Sequence, residues 1–182
     1  MENILVLVDA QNGFLKSDET FHLRKELTKL LELEVFSNVL ATKFVNSANS
    51  PFARLLGYAK MINAKDTEIP NSIDRHLSVV LQKETYTPNM DMLINELTVL
   101  NYGEKPDRVF LAGVDTDCCV LATAIGLFDN GIRPIVLKNY CASNGGTGYH
   151  VAGSFCLERL LGKGSVYDKK IKSADDFNKL IF

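Results

Sequence analysis

The sequence predicts an α/β fold in which a mainly parallel sheet is covered by helices on both faces. Ile4–Val8 and residues 109–112 are unbroken aliphatic and aromatic runs, which marks strands buried on both sides rather than half-solvated antiparallel ones. Between such runs lie amphipathic stretches, as where Leu23, Leu27, Leu30 and Leu31 recur at helical spacing in a charged background. Strand and helix patterns then alternate at a spacing that calls for right-handed βαβ crossovers. A length of 182 residues suits one domain, spanning 1–182, with a sizeable core.

The elements follow in chain order. The strand at residues 4–8 stops abruptly at Asp9. In open α/β sheets the ligand crevice lies beyond the carboxyl ends of the strands, so an acid there is either a site residue or a turn residue for Ala10-Gln11-Asn12-Gly13. A helix is expected over residues 19–34 and a second strand over 38–45. Residues 46–74 read as irregular, with Pro51 and Pro70 bracketing a helix at 52–61; so long a connection often forms a lid or pocket wall. A third strand covers 77–82, and Lys83 follows it as either a solvated surface lysine or a second group on the rim that holds Asp9.

The loop 84–88 leads into a helix at 90–100 and the turn Asn101-Tyr102-Gly103. The fourth strand, 109–112, runs through Gly113-Val114-Asp115-Thr116-Asp117-Cys118-Cys119-Val120 into a helix that ends near 129, with Gly131 as its stop. A fifth strand covers 135–137. The loop 139–148 contains Asn144-Gly145-Gly146-Thr147-Gly148 but neither GxGxxG nor GxxxxGK[ST], so it reads as a turn rather than a phosphate cradle. A helix at 151–161, a short strand at 165–167 and a last helix opened by Ser173-Ala174-Asp175-Asp176 complete the chain. Phe177, Leu180, Ile181 and Phe182 supply the packing face of that helix.

Chemistry concentrates at the cysteine pair. A cysteine in the first turn of a helix meets unpaired N–H groups and the positive end of the helix dipole, which favour a thiolate and can later hold an oxyanion. Thr116 or Asp117 can cap that helix, and both cysteines also fit as small buried apolar residues. Asp9, Lys83 and the cysteines fall beyond the carboxyl ends of the first, third and fourth strands, so base, cation and nucleophile share one rim. That set can take a thiol proton, attack a carbonyl, pass through a thioester and hydrolyse it, with no metal and no cofactor.

These segments resemble the isochorismatase-like cysteine hydrolases, a family that includes nicotinamidases and N-carbamoylsarcosine amidases. The resemblance rests on Leu7-Val8-Asp9-Ala10-Gln11-Asn12-Gly13-Phe14, on Lys83, and on residues 113–120 with Thr123-Ala124, and it extends over Cys141-Ala142-Ser143 and His150. It implies a three-layer α/β/α fold with a parallel sheet of about six strands. It assigns Asp9, Lys83 and Cys119 as a catalytic triad, with Cys119 chosen over Cys118 because the family places its cysteine before the valine that Val120 matches. It further implies a cis peptide at Val114-Asp115 that aims oxyanion N–H groups of Val114, Asp115 and Cys119, a packing or capping role for His150, and a dimer or tetramer.

Departures from the family pattern narrow the chemistry. Nicotinamidases carry an Asp-x-His and a further His near the second strand, where this chain reads Ala41-Thr42-Lys43-Phe44-Val45-Asn46-Ser47. True isochorismatases lack the cysteine, so Cys119 points to a metal-independent amidase acting on a small amide, carbamoyl or related C–N bond. Enol-ether hydrolysis and a binding protein that has lost turnover are the alternatives. Asp115, where the family has a neutral residue, disfavours anionic substrates. Phe14, Phe52, Tyr58 and Tyr86 lie near the rim and form either an apolar substrate wall or core.

Composition excludes several other classes. A net charge of −2 and a pI of about 5.9 give no attraction to nucleic acid or anionic membrane, which leaves a small molecule as the expected partner. The first residues lack the basic leader of a signal peptide, and no apolar run is long enough to span a bilayer, so a cytoplasmic location is expected. Cys118, Cys119, Cys141 and Cys156 show no CxxC spacing, which argues for reduced thiols.

Overall fold

In a computed structural model, which describes residues 2–181, six parallel strands form one sheet in the order β3-β2-β1-β4-β5-β6. These are β1 (Ile4–Val8), β2 (Asn38–Phe44), β3 (Val79–Lys83), β4 (Arg108–Val114), β5 (Arg133–Ala142) and β6 (Val166–Tyr167). The long helices are α1 (Phe21–Leu31), α5 (Met90–Leu100), α6 (Leu121–Asp129), α7 (Thr147–Leu161) and α8 (Ala174–Ile181); three short ones, α2 (Pro51–Leu56), α3 (Ala64–Thr67) and α4 (Asn71–Asp74), lie between β2 and β3. The fold is a three-layer α/β/α sandwich.

Alternation along the strands builds the two outer layers, because successive side chains point to opposite faces. Leu5 and Leu7 of β1 pack with Leu23, Leu27 and Leu30 of α1 and with Phe177 of α8. Ile4, Val6 and Val8 pack with Leu93 and Leu97 of α5, Ala124 and Leu127 of α6 and Leu157 of α7. Phe36, Phe110 and Phe177 close the first layer with ring centroids 5.0–5.5 Å apart. The packing expected of the Ile181 and Phe182 side chains lies outside the described residues.

Several boundaries differ from the sequence reading. The helix expected at 52–61 stops at Leu56: Ser50 caps its start by accepting from the Ala53 N–H, and Gly57, at φ +65°, ends it. The strand expected at 135–137 runs to Ala142, past a register shift opposite Leu111 and Gly113, so Cys141 pairs with Gly113 inside the sheet. Helix α7 begins at Thr147, four residues early. The cysteine helix opens as a π turn over Thr116–Val120, in which the Val120 N–H reaches back five residues to the Asp115 carbonyl at 3.1 Å.

Gly113 holds β1 and β4 together at the level of the site. Its φ is +126°, and a Cβ there would stand 2.0 Å from the Val8 carbonyl oxygen, so no side chain fits. Gln11, fully buried, ties the segment after β1 to β2 and to the irregular connection. Its amide donates to the Phe44 and Thr67 carbonyls, each at 2.8 Å, and accepts from the Phe44 N–H at 2.8 Å. Gln11→Ala strands those backbone groups and is expected to cost about 2 kcal/mol in a urea melt; a loss below about 0.5 kcal/mol would show that water replaces the amide.

Candidate active site

The chain leaves β1 toward β2 and β3 on one side, then returns to place β4 on the other. The crevice at the carboxyl ends of β1 and β4 is therefore the topological switch point of the sheet, where open α/β folds hold their ligands. Asp9 follows β1 in a left-handed conformation, φ +49°, which turns its side chain into that crevice. Its N–H donates to Thr42 of β2, and Thr42 Oγ1 donates back to Asp9 Oδ1 at 2.7 Å.

Lys83, the last residue of β3, has its side chain 1% exposed against 0% for Asp9, and its Nζ stands 2.7 Å from Asp9 Oδ2. The surface reading of this lysine is therefore overturned. The approach leaves Oδ2 without an aligned hydrogen bond, so the contact is a coulombic pairing with a lone pair still open. Lys83 Nζ also donates to the Thr85 and Tyr86 carbonyls at 2.9 and 3.1 Å and lies 3.4 Å from Cys119 Sγ. Every ammonium proton thus has a partner, which a buried cation requires.

Cys119 sits in the π turn, 8% exposed. Burial, and after it the Asp9 carboxylate, push its thiol well above the ordinary cysteine range, and Lys83 reverses only part of this. The expectation that the helix start would ease ionisation is thereby corrected: desolvation beside a carboxylate outweighs the dipole. Cys118, half-buried next to Asp117 and Asp115, is pushed up to about 12 by burial and by those two charges. Both thiols are protonated at neutral pH.

Alkylation by iodoacetamide tests this, since the thiolate is the attacking form. The rate at Cys119 is expected to climb through pH 9 without reaching a plateau. Asp9→Asn is expected to raise it several-fold at pH 8, because the carboxylate that opposes the thiolate is removed, and Lys83→Met to lower it. A plateau near pH 7 in the wild type would mean a thiolate at rest.

The remaining predicted positions fall around this centre. The Val114–Asp115 peptide is cis. The Cys118 N–H, like that of Val120, donates to the Asp115 carbonyl. Neither Thr116 nor Asp117 caps the turn, as the sequence had led us to expect: Thr116 Oγ1 pairs with His150 Nδ1 at 2.7 Å, and Asp117 Oδ2 accepts weakly from Cys118 Sγ at 3.6 Å. Burial, with Lys138 and His22 nearby, pulls the His150 pKa down, so the ring is neutral at pH 7. Its position beside Thr116 makes it a brace for the π turn. Gly153 of α7 lets that turn dock closely, since a Cβ there would meet the Asp117 backbone at 2.8 Å.

Above Cys119 opens a cavity of about 570 Å³. Phe14, Phe52 and Tyr86 all line it, together with Tyr58, Asp115 and Asn144. Phe52 meets Tyr86 at a tilt with centroids 4.6 Å apart and Phe44 edge-on at 4.8 Å, and Phe14 meets Phe44 at 6.0 Å, so these aromatics form one wall. Sequence reading missed Thr42, Phe44 and Asn144. A threonine in the middle of an aliphatic strand was the available signal for the first; the other two have none in the local pattern.

Among the described residues no three His, Cys, Asp or Glu side chains converge as metal ligands. Among the described residues no helix is long and apolar enough to cross a membrane.

Comparison with known proteins follows the same line. The isochorismatase domain family matches residues 3–155, and no curated protein matches the chain. Among solved structures, an isochorismatase-like hydrolase from Alkaliphilus metalliredigens is 16% identical with a TM-score of 0.75, and the match covers 100% of both chains. N-carbamoylsarcosine amidase from Thermoplasma acidophilum is 22% identical, TM-score 0.70, covering 96% of this chain and 98% of that one. The pyrazinamidase of Pyrococcus horikoshii, solved with zinc, is 18% identical, TM-score 0.73, covering 93% and 100%.

Proposed function

Because the chain belongs to the isochorismatase domain family, we propose that it is a cysteine hydrolase of a small amide or carbamoyl C–N bond. The observation that carries this reading is the position of Lys83 Nζ, 2.7 Å from Asp9 and 3.4 Å from Cys119 in a buried pocket floor beneath an aromatic cavity. A base, a nucleophile and a cation that balances their charge stand within reach of one reacting carbon.

Cys119 waits as a thiol, with the Asp9 carboxylate close enough to hold its proton. As a substrate carbonyl settles over Sγ, the proton passes to Asp9 while the C–S bond forms. The oxyanion is assigned to N–H groups among Val114, Asp115 and Cys119. Asp9 returns the proton to the leaving nitrogen, the C–N bond breaks, and a thioester remains. Asp9 then takes a proton from water, hydroxide adds to the thioester carbonyl, and the acid leaves as Cys119 regains its proton. Lys83 stays charged throughout, offsetting the carboxylate in the resting state and the thiolate during attack.

Among the described residues no His, Cys, Asp or Glu set gathers as ligands of the kind that would hold the zinc seen in the pyrazinamidase. His22 lies on α1, His76 bonds Arg75, and His150 bonds Thr116. After β2, Asn46 spends its amide on the Tyr58 and Lys60 carbonyls. No step is routed through a metal. Ammonia release from a panel of small primary amides and carbamoyl compounds tests the proposal, with Cys119→Ala as the control. Release of an enol or alcohol product, or release that persists in the control, would overturn it.

A further inference from the structure

The wall that bears the nucleophile carries more negative than positive charge. Asp9 is offset by Lys83, but Asp115 and Asp117 belong to no ion pair among the described residues. Lys16 and Lys60 also line the cavity, but Lys16 is held by Asp66 at 2.9 Å and Lys60 is solvent-exposed. Of the two unpaired acids only Asp115 lines the cavity. Its Oδ1 accepts from the backbone N–H and the side-chain amide of Asn144, at 2.9 and 2.8 Å, which fixes the carboxylate in place. Its Oδ2 meets no protein donor among the described residues.

The groups that share this cavity are Phe52, Tyr58 and Tyr86. Tyr58, Tyr86 and Asp115 line the same cavity, so the carboxylate and the two rings look onto one space. Aromatic faces attract a desolvated cation, and a fixed carboxylate adds the counter-charge. An anionic group placed between those rings and Asp115 would meet the carboxylate directly, while Lys16 is paired with Asp66 and Lys60 is exposed to solvent.

We propose that the substrate carries a compact ammonium group, seated between the Phe52, Tyr58 and Tyr86 rings and the Asp115 carboxylate, beside the carbonyl that Cys119 attacks. The attacked bond rests on the hydrolase reading above; the charge preference does not. Asp115 is then the residue that determines specificity.

Two isosteric amides separate charge from shape: trimethylammonioacetamide and its neutral analogue 3,3-dimethylbutanamide. Calorimetric titration into Cys119→Ala is expected to give the ammonium amide a Kd about tenfold lower than the neutral one. In Asp115→Asn, built on Cys119→Ala, the two are expected to bind within about twofold of each other. Tyr86→Leu on the same background, at a partly exposed position, is expected to weaken the ammonium amide alone. Equal binding of the two amides, no binding of either, or a preference that survives Asp115→Asn overturns the inference. Preferential binding without ammonia release by the wild type would sink the hydrolase reading and leave this one standing, whereas turnover of both amides without preference would do the reverse.

Discussion

Replacing Cys119 by alanine is expected to lower kcat on any amide the protein hydrolyses by about 10⁴-fold or more, with little change in folding. Nucleophiles that act as part of a unit carry costs of this size, because the remaining members have nothing to activate. Here the loss is expected to be deep: Asp9 and Lys83 lie beneath the sulfur, and neither is placed to attack a carbonyl in the cavity above. Removing one buried sulfur from the π turn costs about 1 kcal/mol of packing, so circular dichroism and the melting temperature separate lost chemistry from lost fold. Cys119→Ser is expected to be nearly as inactive, since a serine hydroxyl beside the same carboxylate is a far weaker acid than the thiol. Hydrolysis by Cys119→Ala within about tenfold of the wild type would remove Cys119 from the reaction.

How much of this was legible in the sequence depends on how local the cause is. The layers were legible because unbroken aliphatic strands and leucines at helical spacing are local signals of burial. Asp9, Lys83 and Cys119 could be placed on one rim because strand ends in a parallel sheet face one way. The register shift that carries β5 to Ala142 was not legible, since it lies in how β5 pairs with β4 between Leu111 and Gly113, a contact between distant segments of the chain. The π turn was hidden for a similar reason. Its Thr116 and Asp117 look like helix caps, yet Thr116 is taken by His150 and the backbone of Asp117 by the close approach of Gly153, both from a helix that follows much later in the chain. The direction of the Cys119 shift also needed coordinates, because a helix start lowers a thiol pKa only where the thiol keeps its solvation.

The ion pair of Asp9 and Lys83 has the second large expected effect, and it falls on stability as well as rate. Both side chains are out of water, so each owes its tolerable burial to the other. Asp9→Asn leaves the Lys83 ammonium buried with only carbonyls and a thiol around it; Lys83→Met leaves the Asp9 carboxylate with the Thr42 hydroxyl as its hydrogen-bond donor. Each single change is expected to destabilise the fold by about 3–5 kcal/mol, which for a chain of this length lowers the melting temperature by about 10 °C. The double variant, Asp9→Asn with Lys83→Met, removes both charges and is expected to recover most of that loss, since an apolar side chain suits the space beneath Phe44 where Lys83 now lies, 5.6 Å from the ring centroid. Activity is expected to stay absent in all three, because none retains a carboxylate with a cation to balance it beside Cys119. A full double-mutant cycle by chemical denaturation, run beside the ammonia assay, separates the two roles. Recovered stability without recovered turnover is the signature of a charge pair kept for its chemistry. Strictly additive losses would mean that Asp9 and Lys83 are held by their other partners, and that the 2.7 Å contact contributes little to the fold.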